Sequence, residues 1–108
     1  MGRLMQRGEI RWYKFKKPDK KRPVVILSRN SVIEYLGEVT VAPVTSTIRD
    51  IPSELLLTIK EGLPRECAVN LDHIQTVAKN KIGSLIVSLT DDKLKELKQA
   101  LLFALGFD

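Results

Sequence analysis

Arg22 is the side chain in this sequence best equipped for chemistry on phosphate. It ends a cluster of five cations in seven residues, Lys16, Lys17, Lys20, Lys21 and Arg22, and Pro23 and the apolar run Val24-Val25-Ile26-Leu27 follow at once. Its guanidinium is a planar fork of donors that stays charged at any useful pH and matches phosphate oxygens. Proline fixes its own φ and favours extended backbone in the residue before it, so Arg22 is pinned at the start of a strand. Two further polar groups stand at strand ends: Thr45 and Ser46 after the segment Glu38 to Val44, and Asp72 with His73 after Glu66 to Leu71. Consecutive antiparallel strands set the start of one beside the end of the next, so Arg22 and Thr45 are candidates for one site. Hydroxyls beside a guanidinium suit the binding of a phosphate and the stabilisation of charge on it. The same hydroxyls also suit a polar turn that bonds its own backbone.

Charge over the whole chain points the same way. The 108 residues hold 18 Lys/Arg against 13 Asp/Glu, a net charge of +5, and the excess is concentrated: from Arg3 to Arg29 there are ten cations and only two acids, Glu9 and Asp19. A concentrated excess of this kind releases counterions from a phosphate backbone, and it equally suits an acidic protein tail. A single cysteine, Cys67, excludes an intramolecular disulfide, and with one histidine, His73, a His/Cys metal cage is excluded too. The chemistry expected is therefore metal-independent, or served by a weakly held ion, and no cofactor is expected. No apolar run approaches the roughly 18 residues that span a bilayer. No apolar segment follows the N-terminal charges either, so a cytoplasmic protein without membrane attachment is expected.

The elements that must position these groups are mostly strands. Residues 1–6 lack periodicity and are expected to be a flexible tail, with one domain over residues 7–108. Arg7 to Phe15 alternates and is rich in aromatics, which predicts a strand with Ile10, Trp12 and Lys14 on one face. Trp12 and Tyr13 can stack on bases, although core packing is the commoner fate of a strand aromatic. Val24 to Leu27 reads as a buried strand, Ser31 to Leu36 as a helical turn closed by Gly37, and Glu38 to Val44 as a strand ended at Pro43. Ser53 to Ile59, Glu66 to Asp72, Ile74 to Val77 and Gly83 to Leu89 supply further strand material. Thr90 then caps a helix with Asp91 and Asp92 in its first turn, an apolar stripe of Leu94, Leu97, Leu101 and Leu105, and Gly106 as its stop. Five to seven short strands and one C-terminal helix predict a mainly β, small antiparallel barrel or half-barrel.

Taken in order, Arg7-Gly8-Glu9-Ile10, Lys21-Arg22-Pro23-Val24-Val25-Ile26-Leu27-Ser28, Ala42-Pro43-Val44-Thr45-Ser46, Asn70-Leu71-Asp72-His73-Ile74-Gln75-Thr76-Val77 and the final helix resemble the MazF/PemK/Kid toxins. The resemblance runs from Arg7 to Asp108. It implies an SH3-like barrel acting as a homodimeric, metal-independent endoribonuclease that cleaves single-stranded RNA at short sequences and is neutralised by a cognate antitoxin. Carried over by position, it implies that Arg22 and Thr45 are the catalytic pair. Asp72 matches an acid/base aspartate of some members, but Asn70 stands where an arginine accompanies it. Gln75 replaces a common arginine and Ala78 a common aspartate.

In such an enzyme the RNA supplies its own nucleophile, the 2′-hydroxyl, and the protein orients the phosphate and stabilises developing charge. Arg22 fits the stabiliser and Thr45, with Ser46 beside it, the donor that positions the phosphate or the attacking hydroxyl. Lys16, Lys17, Lys20, Lys21 and Arg29 are expected on flanking phosphates, and Asn30, Asp72, His73 and Gln75 on base edges. An acidic antitoxin tail is expected across the loop from Lys16 to Arg22. Two alternatives compete: a non-catalytic SH3-like module that binds nucleic acid through the same rim, and a CcdB-like toxin that targets DNA gyrase.

Overall fold

The computed structural model describes residues 5–14 and 21–108. Its centre explains why Val24 to Leu27 does not alternate. Strand β2 (Lys21–Ile26) pairs antiparallel with β3 (Glu38–Thr45), setting Val24 opposite Pro43, Val25 opposite Ala42 and Ile26 opposite Val41. Successive strand side chains point to opposite faces, and here both faces are covered. Val25 and Leu27 enter a large core with Ile10, Ala42, Val44, Leu57 and Val69, closed by Leu97 and Ala100 of the C-terminal helix. Val24 and Ile26 enter a second, smaller core with Ile33, Val39, Val41 and Val77. An uninterrupted apolar run is what a strand between two cores requires.

Around this pair the sheet runs in the order β4 (Glu54–Leu57), β5 (Cys67–Asn70), β3, β2, β1 (Glu9–Lys14), β7 (Ile82–Ser88), and β6 (Gln75–Ala78) also pairs with β3. Every pairing is antiparallel. Strands β5 and β6 are one partner strand interrupted: Val44 faces Val69 while Val41 faces Gln75, so three steps along β3 answer six along its partner. The three surplus residues are Leu71, Asp72 and His73, which bulge out as a single 3₁₀ turn. Packing brings the β4–β5 connection up against β7, since a Cβ built on Gly62 would meet Val87 at 3.2 Å. Seven antiparallel strands and one C-terminal helix are the mainly β architecture the sequence predicts.

Several local expectations shift. Trp12 is not a core residue; it is 37% exposed. Strand β1 keeps regular alternation against β2, so Ile10 enters the large core while half-buried Tyr13, three residues on, packs on the small one; Trp12 shares the face of Ile10 but lies opposite Pro23, past the buried positions. Pro43 lies inside β3 opposite Val24 instead of ending the strand. The expected strand Ser53 to Ile59 shortens to β4 because Thr58 caps a 3₁₀ turn, Ile59–Glu61. Helix α1 (Asn30–Ile33) is a four-residue turn that starts and stops earlier than expected, and Gly37 does not take a positive φ to close it. Residues 1–4 lie outside the described residues, whereas Met5 packs against the small core and the Gln6 N–H donates to Glu9 Oε1 at 3.2 Å.

Helix α2 (Asp91–Leu105) follows its predicted caps: Thr90 Oγ1 accepts from the Lys93 N–H at 3.2 Å, and Gly106 closes it at φ 81. Its inward face is Leu97 and Ala100, flanked by Leu94, Leu101 and Ala104; Leu105, expected on that stripe, is 49% exposed. Among the described residues no helix is long and apolar enough to cross a membrane.

Candidate active site

The β2–β3 register, continued two residues beyond Val24 and Pro43, sets Arg22 opposite Thr45. Cross-strand partners share a face, and both line one open cleft of about 250 Å³. Its other walls are Pro23, Val44, Ser46, Leu63, Pro64, Arg65 and Cys67. Arg22, Ser46 and Arg65 are exposed, Thr45 is half-buried, and Val44, Leu63 and Cys67 form a buried floor. The cleft is thus a cationic rim over an apolar base. Among its described lining residues none is a carboxylate or an imidazole.

Thr45 sits at the very end of β3, where Ala68 of β5 pairs with it on the side away from β2. Its Oγ1 accepts the Thr47 N–H at 3.1 Å. That bond orients the hydroxyl and leaves its own O–H free to donate, because a hydroxyl carries one donor beside its acceptor lone pairs. The polar-turn reading and the site reading of these hydroxyls are therefore compatible.

The third wall is a braced loop. Glu61 Oε1 accepts from the Thr58 N–H at 2.7 Å and from Thr58 Oγ1 at 3.0 Å, and Thr58 Oγ1 accepts from the Lys60 N–H at 3.1 Å. The Thr58 N–H bond, aided by the Thr58 hydroxyl and the Lys93 ammonium, holds the Glu61 carboxyl below its usual pKa against an opposing cost of burial. Gly62 then turns the chain at φ 98, where a side chain would be strained, and Leu63, 5% exposed, plugs the large core. Pro64 and Arg65 are presented to the cleft. Burial pushes the Cys67 thiol above its ordinary pKa; the Glu61 charge adds to the rise and the Arg65 charge opposes it.

The remaining expected site residues are dispersed. Lys21 is exposed next to Arg22 and pairs with Lys14 on β1. Lys16, Lys17 and Lys20 lie outside the described residues, and with them most of the expected antitoxin-binding loop. Asp72 and His73 occupy the 3₁₀ turn between β5 and β6, both exposed, and neither lines the Arg22 cleft. Ser53 Oγ donates to Asp72 Oδ2 at 2.6 Å, and the Asp72 N–H donates to Asn70 Oδ1 at 3.0 Å. The Asp72 carboxylate, which matches an acid/base aspartate of some family members, thus helps hold its own turn. Gln75 is exposed at the start of β6, opposite Val41.

Arg29 and Asn30 fall at the wrong end of β2 for this cleft. Arg29 lies seven residues along the chain from Arg22, past the end of β2, so at roughly 3.3 Å per extended residue up to about 23 Å separates them. Asn30 Oδ1 accepts the Arg7 N–H at 2.6 Å, and Arg7 Nε donates to the Leu27 carbonyl at 2.8 Å. Arg29 borders a different groove with Leu27, Val32, Leu36, Ile74, Leu101 and Leu105. Arg65, by contrast, was not singled out in the sequence. The rule that linked Arg22 to Thr45 would have found it, since a cation just before β5 must reach the rim where β3 ends. Among the described residues no group of three or more His, Cys, Asp or Glu side chains is placed to hold a metal ion.

Fold and site together define a small antiparallel β protein with an arginine- and hydroxyl-lined cleft on one rim, suited to a phosphodiester. More particularly, the chain belongs to the PemK-like, MazF-like toxins of type II toxin-antitoxin systems, whose family profile matches residues 6–105. It is 37% identical over 103 residues to the "Probable endoribonuclease MazF2" of Mycobacterium tuberculosis, covering 94% of this chain and 99% of that protein. Among solved structures it is similar to the Mycobacterium tuberculosis toxin MazF-mt6, with 33% identity, a TM-score of 0.84 and coverage of 93% and 98% of the two chains. A mycobacterial endoribonuclease in complex with its cognate antitoxin matches at 25% identity and a TM-score of 0.84, covering 96% of this chain and 97% of that one.

Proposed function

We propose that residues 7–108 form one toxin domain that acts as a metal-independent endoribonuclease on single-stranded RNA, with Arg22 and Thr45 at the reacting phosphate. The observation that carries this reading is their placement across one rim, with the free O–H of Thr45 beside a permanently charged fork. Membership of the toxin family and the endoribonuclease relatives supply the substrate class.

The chemistry follows from what the cleft holds. The RNA 2′-hydroxyl attacks the adjacent phosphorus, a new O2′–P bond forms, and the P–O5′ bond breaks. The proton leaves O2′ and a proton joins O5′, giving a 2′,3′-cyclic phosphate and a 5′-hydroxyl. Negative charge builds on the non-bridging oxygens during the step, and Arg22 faces it with two parallel donors. Thr45 fixes the phosphate, or the attacking hydroxyl, by donating its O–H; Ser46 adds a second donor at the same edge. Such preorganised donors typically supply a factor of about 10²–10³ each.

The same cationic rim suits an acidic antitoxin segment that occludes the RNA site, a partner supported by the relative solved with its antitoxin. A homodimer belongs to the same proposal. The test is purified protein and a long single-stranded RNA in EDTA, with the new ends sequenced and their chemistry read. Discrete cuts bearing cyclic phosphate and 5′-hydroxyl ends are expected. RNA that is bound in a salt-sensitive way yet left intact would sink the enzyme reading in favour of a binding module, and inhibition of gyrase supercoiling without RNA cleavage would favour the CcdB-like one.

A further inference from the structure

We propose that Arg65 is a second RNA-binding residue of the cleft, gripping the backbone phosphate on the side of Thr45 opposite Arg22. This deepens the endoribonuclease reading and rests on it. The sheet order is the first support: β3 lies between β5 and β2, so Thr45 is bracketed by the strand Arg22 begins and the strand Arg65 precedes. Those outer strands are two spacings apart, about 10 Å. One phosphate at Thr45 cannot occupy both forks at that separation without the side chains leaning together. A strand of RNA crossing the rim presents successive phosphates to each.

The second support is the loop. Arg65 is exposed but not on a loose tether, because the Thr58–Glu61 box, the Gly62 turn and the buried Leu63 fix the backbone before it. A long side chain on a fixed base loses less freedom on binding than one on a floppy loop. The third support is electrostatic. Among the described residues Arg65 has no carboxylate within ion-pair distance, so its guanidinium is not already spent on the fold. It lines the cleft together with the buried Cys67, opposite Arg22. An unpaired cation held over an apolar floor, facing another across a row of hydroxyls, is arranged for a polyanion.

A residue that grips a neighbouring phosphate binds ground state and transition state alike, so its loss raises KM and leaves kcat. R65A is expected to raise KM about 10-fold with kcat within about 2-fold. Binding of a 2′-O-methyl RNA of the cut sequence, which lacks the nucleophile, should lose about 0.7 from the magnitude of its log K against log salt slope, the value for one fewer phosphate contact on a single strand. R65K should restore the slope and only part of KM, since it keeps the charge and loses the fork. K95A, an exposed cation on α2, serves as the control and should move neither. Thermal unfolding of R65A should match wild type. An unchanged KM and salt slope in R65A would overturn the proposal, as would a fall in kcat at constant KM, while RNA cutting by the wild type left the endoribonuclease reading intact. Failure of the wild type to cut RNA would instead remove that reading, and the salt slope alone would then decide whether Arg65 binds phosphate.

Discussion

Arg22 and Arg29 bracket one strand, each exposed and each beside a polar side chain, yet the fold uses the two ends of β2 differently. At the Arg22 end the chain opens into a cleft where Thr45, Ser46 and Arg65 converge and no described lining residue neutralises the cations. At the Arg29 end, Asn30 and Arg7 are committed to backbone: Asn30 Oδ1 holds the Arg7 N–H, and Arg7 Nε holds the Leu27 carbonyl. Charge alone therefore does not mark a functional site. What separates the ends is whether neighbouring strands bring further unspent donors to the same place.

The sharpest way to break this comparison is to remove each arginine in turn. R22A should lower the single-turnover cleavage rate by at least about 100-fold, whereas R29A should stay within about 3-fold. Both side chains are exposed, so both variants should unfold within about 0.5 kcal/mol of wild type by denaturant titration. Equal losses from the two would erase the distinction between the ends. Next in size is T45V, which keeps the shape and removes the hydroxyl; about a 10- to 100-fold fall in rate is expected with substrate binding little changed.

The other end of β2 gives the complementary prediction. N30A should cost about 1 kcal/mol of stability through the lost bond to Arg7 and leave the cleavage rate alone. A stable but inactive N30A would return Asn30 to the RNA site. The smallest effect concerns the cleft floor. Burial raises the Cys67 thiol above its ordinary pKa, and only the thiolate is alkylated, so iodoacetamide should label the folded protein more slowly at pH 8 than the same protein in urea. The folded rate should climb only as pH passes the ordinary thiol range. Equal rates in the two states would mean that the floor is open to water.

How much of this was readable beforehand depends on whether a feature is local or topological. Helix α2 was legible almost to the residue, because Thr90, the two aspartates and Gly106 are signals within one turn of its ends. The strand Val24 to Leu27 was legible from its apolar run, and the meeting of Arg22 with Thr45 from antiparallel connection alone. Trp12 shares the face of Ile10 as the sequence displays, yet it is exposed because the large core does not reach its position opposite Pro23. Asp72 and His73 looked like a strand end, but the three-residue 3₁₀ turn that carries them appears only when β5 and β6 share β3 as a partner. Asn30 and Arg29 looked like RNA contacts because they are polar and near Arg22 in sequence; a strand's length then carries them to the far rim. Arg65 carries no local signal of its own, since only the pairing of β5 with β3 brings the residue before β5 to the rim where β3 ends.

The central claim is that the Arg22–Thr45 end of β2 cuts RNA by way of the substrate's own 2′-hydroxyl. It is tested most directly with one RNA made twice, once complete and once with a single 2′-deoxynucleotide on the 5′ side of the mapped cut. Wild-type protein should cut the first and leave the second intact at that position while still binding it. Cleavage of the deoxy substrate at the same bond and a similar rate would contradict the account.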